Sequence, residues 1–385
     1  MRKPLNEFRP VYVIGIGLHR YQSISEKTYV ELGLTAIREA LADADIAFSE
    51  VESVYTGTTF LGMAPSRAML RHLGASGLPI AQVENASASG STAVRQSVME
   101  VATGACDVSL AIGLDKPGRV RLAHEQAGVP DLVNEYVSPF THFSLLAHEY
   151  MTTYGTTAEQ VAAVAVKNYK NASKNPYAHR QQGFTIEDVM AGPPISGTLT
   201  KLQCCPIGEG AAAVIVASEQ AIKRLGVDPA RCIQVLSSTS RSEKVYGPGA
   251  DPDTELTRET LAMSCEEAGI APDDLDIVEF HDGFSIEELL YVEALGICPP
   301  GKAAEQLERG DFDIGGRVAV NPSGGLLAMG HPIGPTGVGQ VCEITRQLRG
   351  EAGERQHPDA RLGLAHMVGI GSVCLVHILS KSGPA

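Results

Sequence analysis

Asn321-Pro-Ser-Gly-Gly-Leu-Leu-Ala-Met-Gly-His-Pro-Ile-Gly-Pro-Thr-Gly337 sets five glycines around a single histidine. Glycines at this density permit positive φ and let the backbone come close to a ligand. His331 stands between Gly330 and Pro332, which fix its backbone and leave little for the ring to pack against. It is therefore read as a functional histidine.

Two other segments carry candidate chemistry. Glu279-Phe-His-Asp-Gly-Phe284 ends the apolar run Leu275 to Phe280. Ligands collect at the carboxyl ends of strands in parallel sheets, so His281 lies where chemistry is expected. Asp282 is expected to cap the following helix, Ser285 to Leu295, rather than to orient His281. Val83-Glu-Asn-Ala-Ser-Ala-Ser-Gly-Ser-Thr92 reads as a strand-to-helix turn with Ser87 at its tip. A helix N-terminus there would favour a developing anion. Taken alone, the segment reads as an ordinary N-cap run of Ser and Gly.

Outward from these segments, short apolar runs alternate with helical patterns. Strands are expected at Val11 to Ile16, Val51 to Thr56, Ala81 to Glu84 and Val108 to Leu114. Helices are expected from about Ser25, with Leu32, Ile37 and Leu41 on one face, and after Ser87 through about Val101. Such alternation implies crossovers and a largely parallel sheet. The second half repeats the plan. Helix end, acidic turn and strand at 39–55 match 264–279, and Asn85 before its helix matches Asn321 before the helical run Val338 to Leu348. Two matches in one order point to a duplicated α/β half. Residues 1–114 and 195–228 form the first half and 229–385 the second. Residues 115–194 fit neither and read as an insertion over the loop end of the sheet. That insertion carries Lys116, Arg119, Arg121, His142, His148, Lys167, Lys170, Lys174 and Arg180, as a lid or cofactor clamp would.

Composition removes several classes. The net charge is −14 with no basic face implied, which argues against nucleic acid. A few local Arg and Lys residues could still hold a phosphate. No run of 18 apolar residues suggests a membrane span. The eight cysteines form no CxxC pair and read as free thiols in a reducing, cytoplasmic setting, without a metal or redox cofactor.

Together the three segments resemble the thiolase superfamily over essentially the whole chain. His281-Asp-Gly-Phe and Gln203-Cys-Cys-Pro-Ile-Gly-Glu-Gly-Ala-Ala look like the sterol-carrier-protein type and its bacterial and archaeal acetyl-CoA acetyltransferase relatives. The resemblance implies the five-layer αβαβα thiolase fold with an inserted loop domain. It implies CoA-dependent cleavage of a 3-ketoacyl-CoA, with coenzyme A as substrate, through an acyl-enzyme at position 87. His331 would hold the nucleophile, and His281 with His331 would hydrogen-bond the thioester oxygen. Backbone N–H groups of residue 87 and Gly369 would form a second oxyanion hole. Arg241, Lys244, Ser323 and Gly324 are the candidate CoA contacts. A homodimer at least is implied, with a small zinc-ribbon/OB-fold protein as a further partner of this subtype.

The departures bear on activity. The family writes Asn-Ala-Cys-Ala-Ser-Gly where this chain has Ser87, and a hydroxyl ionises far less readily than a thiol, about 8.5 in free Cys. Conventional thiolases carry a second cysteine at position 367, here Met, and the sterol-carrier type often has one at 283, here Gly. His366 is the nearest remaining titratable group. A Cys-to-Ser exchange made to trap a bound CoA ester is the preferred reading of Ser87. The other is a natural serine in a thiolase-like retro-aldolase, a slow Claisen enzyme or a noncatalytic CoA-binding subunit. Tyr246 and Tyr291 are remote candidates for an aldolase. Acyl groups from acetoacetyl to steroid-derived or benzoylsuccinyl all remain compatible.

Overall fold

The computed structural model describes residues 3–74, 76–117, 138–247, 249–369 and 373–384. The first half runs β1 (Val11–Gln22), α1 (Tyr29–Ala44), β2 (Ser53–Gly57), α2 (Pro65–Leu70), β3 (Ile80–Val83), α3 (Ser89–Thr103) and β4 (Val108–Asp115). Helices α4 (Pro139–Tyr154), α5 (Ala158–Ala172) and α6 (Ile186–Met190) follow, then a small hairpin, β5 (Pro194–Ser196) and β6 (Leu199–Thr200). Strand β7 (Glu209–Ser218) and α7 (Glu219–Leu225) return to the sheet. The second half runs β8 (Ile233–Ser242), α8 (Pro252–Ala268), β9 (Ile277–Glu279), α9 (Ser285–Leu295), α10 (Ala303–Glu308) and β10 (Ala319–Val320). It closes with α11 (Gly325–Ala328), α12 (Thr336–Arg349), β11 (Leu362–Gly369) and β12 (Val373–Ser380).

The sheet order is β10-β9-β11-β12-β8-β1-β7-β4-β2-β3. Read outward from the β1–β8 seam, each half has the same order and the same directions. Strands β7 and β12 run antiparallel to both neighbours, while β2 and β9 run parallel to both of theirs. The expectation of a largely parallel sheet is therefore corrected. Strand β12 follows β11 after three residues, and so short a link can join only antiparallel strands.

Five layers result. Helix α1 covers the outer face of β1, β4 and β7, α3 and α12 lie between the halves, and α8 covers β8 and β12. Strand β1 is apolar on both faces because it is covered on both. Its Gly17 is required by close approach, since a Cβ there would stand 2.0 Å from the Ala36 carbonyl of α1. Helix α1 starts at Tyr29, later than expected, because Thr28 and Glu31 form a capping box. The inserted helices contribute a wall to the site. Of the basic residues singled out in that insertion, Lys167 is buried against Glu288 and Lys116 pairs with Glu209. Arg119 and Arg121 lie outside the described residues.

Candidate active site

Three loops meet at the carboxyl ends of the strands. The turn at 85–89 is locked by its own side chains. The Asn85 N–H donates to Ser89 Oγ, that hydroxyl donates to the Ala86 carbonyl, and Asn85 Nδ2 donates to Thr92 Oγ1. Ala86 is held at φ 48°, a strained value for a residue with a Cβ, and this lifts Ser87 to the start of α3. Gly369 packs against this turn, where a Cβ would stand 2.3 Å from the Asn85 carbonyl oxygen.

Ser87 Oγ lies 3.0 Å from His331 Nε2, and His331 Nδ1 lies 2.9 Å from Thr336 Oγ1. Burial, followed by the neighbouring His281, pushes the His331 ring well below the usual imidazole range, so it stays neutral. With Nδ1–H given to Thr336, the Nε2 lone pair faces the Ser87 hydroxyl. Asp115 fastens this loop, accepting the Gly334 N–H at 2.7 Å together with Thr58 Oγ1 and the Phe60 N–H.

His281 sits beside His331 with ring centroids 5.4 Å apart. Its Nδ1 is 2.9 Å from Glu287 Oε1, which also accepts the Tyr291 hydroxyl at 3.1 Å. His281 Nε2 is buried without a partner among the described residues. A protonated ring there would present Nε2–H to an acceptor in the cavity. Glu287 is absent from the sequence reading; its Oε2 accepts the Phe284 N–H, but with Phe at the cap position the segment lacks the Ser/Thr-x-x-Glu signature that would have marked it. The expectation for Asp282 is corrected. Its oxygens accept the Leu326 N–H at 2.6 Å and Asn168 Nδ2 at 2.7 Å, so it caps α11 rather than α9.

The segment Cys204–Gly208 clasps the two histidine loops. The Cys205 N–H donates to the Gly283 carbonyl at 2.8 Å, and the His331 N–H donates to the Pro206 carbonyl at 3.0 Å. The resulting cavity is about 230 Å³. Ser87, His281, Glu287, His331, Cys205 and Asp253 line it, facing an apolar wall of Phe140, Phe143, Phe284, Ile207, Ile333 and Val368.

Not every expected residue opens onto this cavity. Ser323 gives its N–H and hydroxyl to Glu279, and Gly324 packs on Ala172. Arg241 and Lys244 both pair with Glu259 on α8. His366 is fully buried behind His281, bonded to Thr257. No group of three or more His, Cys, Asp or Glu among the described residues could hold a metal ion, and no helix among them is long and apolar enough to cross a membrane.

Comparison with known proteins agrees across nearly the full chain. The family described as "Thiolase, N-terminal domain" matches residues 14–187, and "Thiolase C-terminal domain-like" matches 241–381. Sterol carrier protein 2 of Homo sapiens is 36% identical, covering 98% of this chain and 73% of that protein. Benzoylsuccinyl-CoA thiolase subunit BbsB of Thauera aromatica is also 36% identical, covering 94% and 95%. Among solved structures, the Ltp2-ChsH2(DUF35) aldolase superposes with a TM-score of 0.80 at 24% identity, covering 97% of this chain and 98% of that one.

Proposed function

Because the chain belongs to the thiolase superfamily, we propose that the cavity is a thiolase-type acyl-transfer site for CoA esters. It cleaves a 3-ketoacyl-CoA with a second CoA thiol, or runs the condensation in reverse, with the acyl group carried at position 87. The observation that carries this reading is Ser87 Oγ at 3.0 Å from a neutral His331, in one cavity with the unpartnered His281 Nε2. The attacking atom at 87 gives its proton to His331 Nε2 and bonds the ketone carbon. The Cα–Cβ bond then breaks, and its electron pair passes onto the thioester oxygen, which His281 Nε2–H receives. The N–H groups of residue 87 and Gly369 face the other oxyanion. Arg241 and Lys244 are the proposed contacts of CoA itself, exchanging Glu259 for its phosphates, whereas Ser323 and Gly324, held against Glu279 and Ala172, are not.

Ser87 makes this form inactive or very slow. His331 leans on a threonine hydroxyl, not a carboxylate, so nothing stabilises the imidazolium that would form as serine loses its proton. The same observation favours a second reading, retro-aldol cleavage of a CoA ester, which needs the enolate site but no nucleophile. A noncatalytic CoA-binding subunit is the third. We further propose a homodimer at least, working in the cytoplasm with a small zinc-ribbon/OB-fold subunit. The DUF35 component named with the aldolase supports such a partner, and the eight unpaired cysteines support that compartment.

Ser87→Cys decides among these readings. The Cys form is expected to consume CoA and 3-ketoacyl-CoA together and to accumulate an acyl-enzyme visible by mass spectrometry. A Cys form that binds CoA yet turns over nothing would refute the thiolase reading. Release of an aldehyde or ketone without CoA consumption would replace it with the aldolase.

A further inference from the structure

Breaking a 3-ketoacyl-CoA between Cα and Cβ leaves an acetyl-CoA enolate whose α-carbon must take a proton. The incoming CoA thiol must later lose one. The residues assigned so far do not supply this exchange. His331 is engaged through both ring nitrogens, and His281 Nε2 is reserved for the thioester oxygen. Met367 cannot titrate and Gly283 has no side chain. The oxygens of Glu287 are occupied by His281, Tyr291 and the Phe284 N–H. The Cys204 thiol donates to the Thr200 carbonyl.

Two cavity-lining groups are left, Cys205 and Asp253. The Cys205 sulfur lies 3.8 Å from the point where a Cβ on residue 283 would stand, close to the place of the missing thiol. Burial, then Glu287 and Asp282, push that thiol far above its ordinary value, so it cannot release its proton and take one back in each cycle. Asp253 stands in the first turn of α8, where Asp251 caps the helix by accepting the Thr254 N–H. No hydrogen bond to either oxygen of Asp253 is found among the described residues. Its carboxyl is the free acid of an otherwise engaged site. The cavity is smaller than the roughly 300–1,000 Å³ of a drug-sized ligand site, so Asp253 and the other lining groups face one confined space.

We propose that Asp253 is the acid/base of this site. This rests on the thiolase reading above. As the carbon–carbon bond breaks, the protonated Asp253 gives its proton to the enolate α-carbon, and acetyl-CoA leaves. The resulting carboxylate takes the S–H proton of the incoming CoA as its sulfur attacks the acyl carbon at position 87. The acyl group leaves as the new thioester, residue 87 takes its proton back from His331 Nε2, and Asp253 is protonated again. Its environment suits the role. Burial first, then Asp251 and Glu287, raise the carboxyl to about 7 against the opposing pull of His281, with Glu243 adding a smaller push. His142 on α4 faces the neighbouring Asp251 at 3.5 Å. General acids and bases work best near the operating pH.

The test does not depend on the nucleophile, because enolisation of acetyl-CoA needs none. The chain as it stands, with Ser87, is incubated with acetyl-CoA in D2O, and deuterium entering the methyl group is followed by NMR. This parent chain is expected to exchange. Asp253→Asn is expected to slow exchange by about 10²-fold or more while still binding acetyl-CoA, and Asp253→Glu to recover part of the rate. Exchange at the parent rate in a folded Asp253→Asn would overturn the inference and leave the enolate site standing. Slowed exchange in Cys205→Ser, with Asp253→Asn unaffected, would overturn it in favour of the thiol. A parent chain that binds acetyl-CoA without exchanging would sink both the inference and the thiolase reading.

Discussion

Adding one methyl group at Gly369 should disable acyl transfer without unfolding the chain. The Cβ of an alanine there would stand 2.3 Å from the Asn85 carbonyl oxygen and 3.0 Å from Val373 Cγ1, where ordinary contact begins at 3.4 Å. The two segments must therefore part by about 1 Å (3.4 − 2.3 Å), and because the closer contact is backbone, no rotamer change relieves it. Asn85 is bonded to Ser89 and Thr92, so the turn moves as a block and carries Ser87 away from His331. A misplacement near 1 Å costs about 10²-fold in rate. Overpacking of this kind destabilises by about 1–3 kcal/mol, so the fold survives. The assay is rapid-quench mass spectrometry of acyl-enzyme formation in the Ser87→Cys background, with and without Gly369→Ala. Gly183→Ala is the control, since a Cβ there meets nothing within 4 Å. Acylation by the Gly369→Ala protein within about threefold of its parent would refute the argument that this glycine sets the position of residue 87.

Three further outcomes follow from the same geometry. Glu287→Gln can keep an acceptor for the Phe284 N–H but then turns its NH2 toward His281 Nδ1, which is donor against donor whenever that nitrogen carries the proton the carboxylate now accepts. Enolisation of acetyl-CoA should fall by about 10²-fold or more while its affinity is kept, as exchange rates and calorimetry would report. Lys167→Met removes the partner 3.0 Å from Glu288 in a buried pair and leaves that carboxylate to Asn168 and Asn321. Urea unfolding should show a loss of about 3–5 kcal/mol; a loss below about 1 would mean the pair is dispensable. Asp115 is raised by burial from 3.8 to about 6, so the folded chain holds this proton more tightly than the unfolded chain. That contribution is complete below about 3.8 and is lost as pH rises to about 6. Relative to Asp115→Asn, the unsubstituted chain should lose roughly 3 kcal/mol across that window, and parallel stability curves would contradict this.

Much of the fold was legible because short apolar runs, caps and glycines are local signals. Strand β4 and helix α9 fall within a residue of where the pattern sets them. Strand direction was not legible, since an apolar run reads the same either way and only the short link between β11 and β12 fixes it. At the site, His331 stood out among its glycines and His281 at a strand end, whereas Ser87 was singled out only by the family resemblance; the fold brings the three to one cavity. The partner of His281 was missed, and the adjacent Asp282 was read as the cap of α9. Asp282 is next in sequence, but successive residues of extended backbone point to opposite sides, and the chain turns into α9 before Glu287 comes back to the ring. Asp253 gave no signal, because its role arises from a fold that brings α8 beside loops far away in sequence.

The seam between β1 and β8 and the pairing of β1 with β7 have a consequence for biogenesis. Val11 pairs with Ser218, so the first strand to be synthesised cannot find its neighbour until about two hundred further residues have been made. At about 5–20 residues per second, β1 waits on the order of 10–40 s with both apolar faces uncovered, apart from what α1 can shield. A nascent chain of this kind is exposed to aggregation for that interval. Chaperone occupancy on ribosomes should rise after β1 emerges and fall once β7 has cleared the exit tunnel.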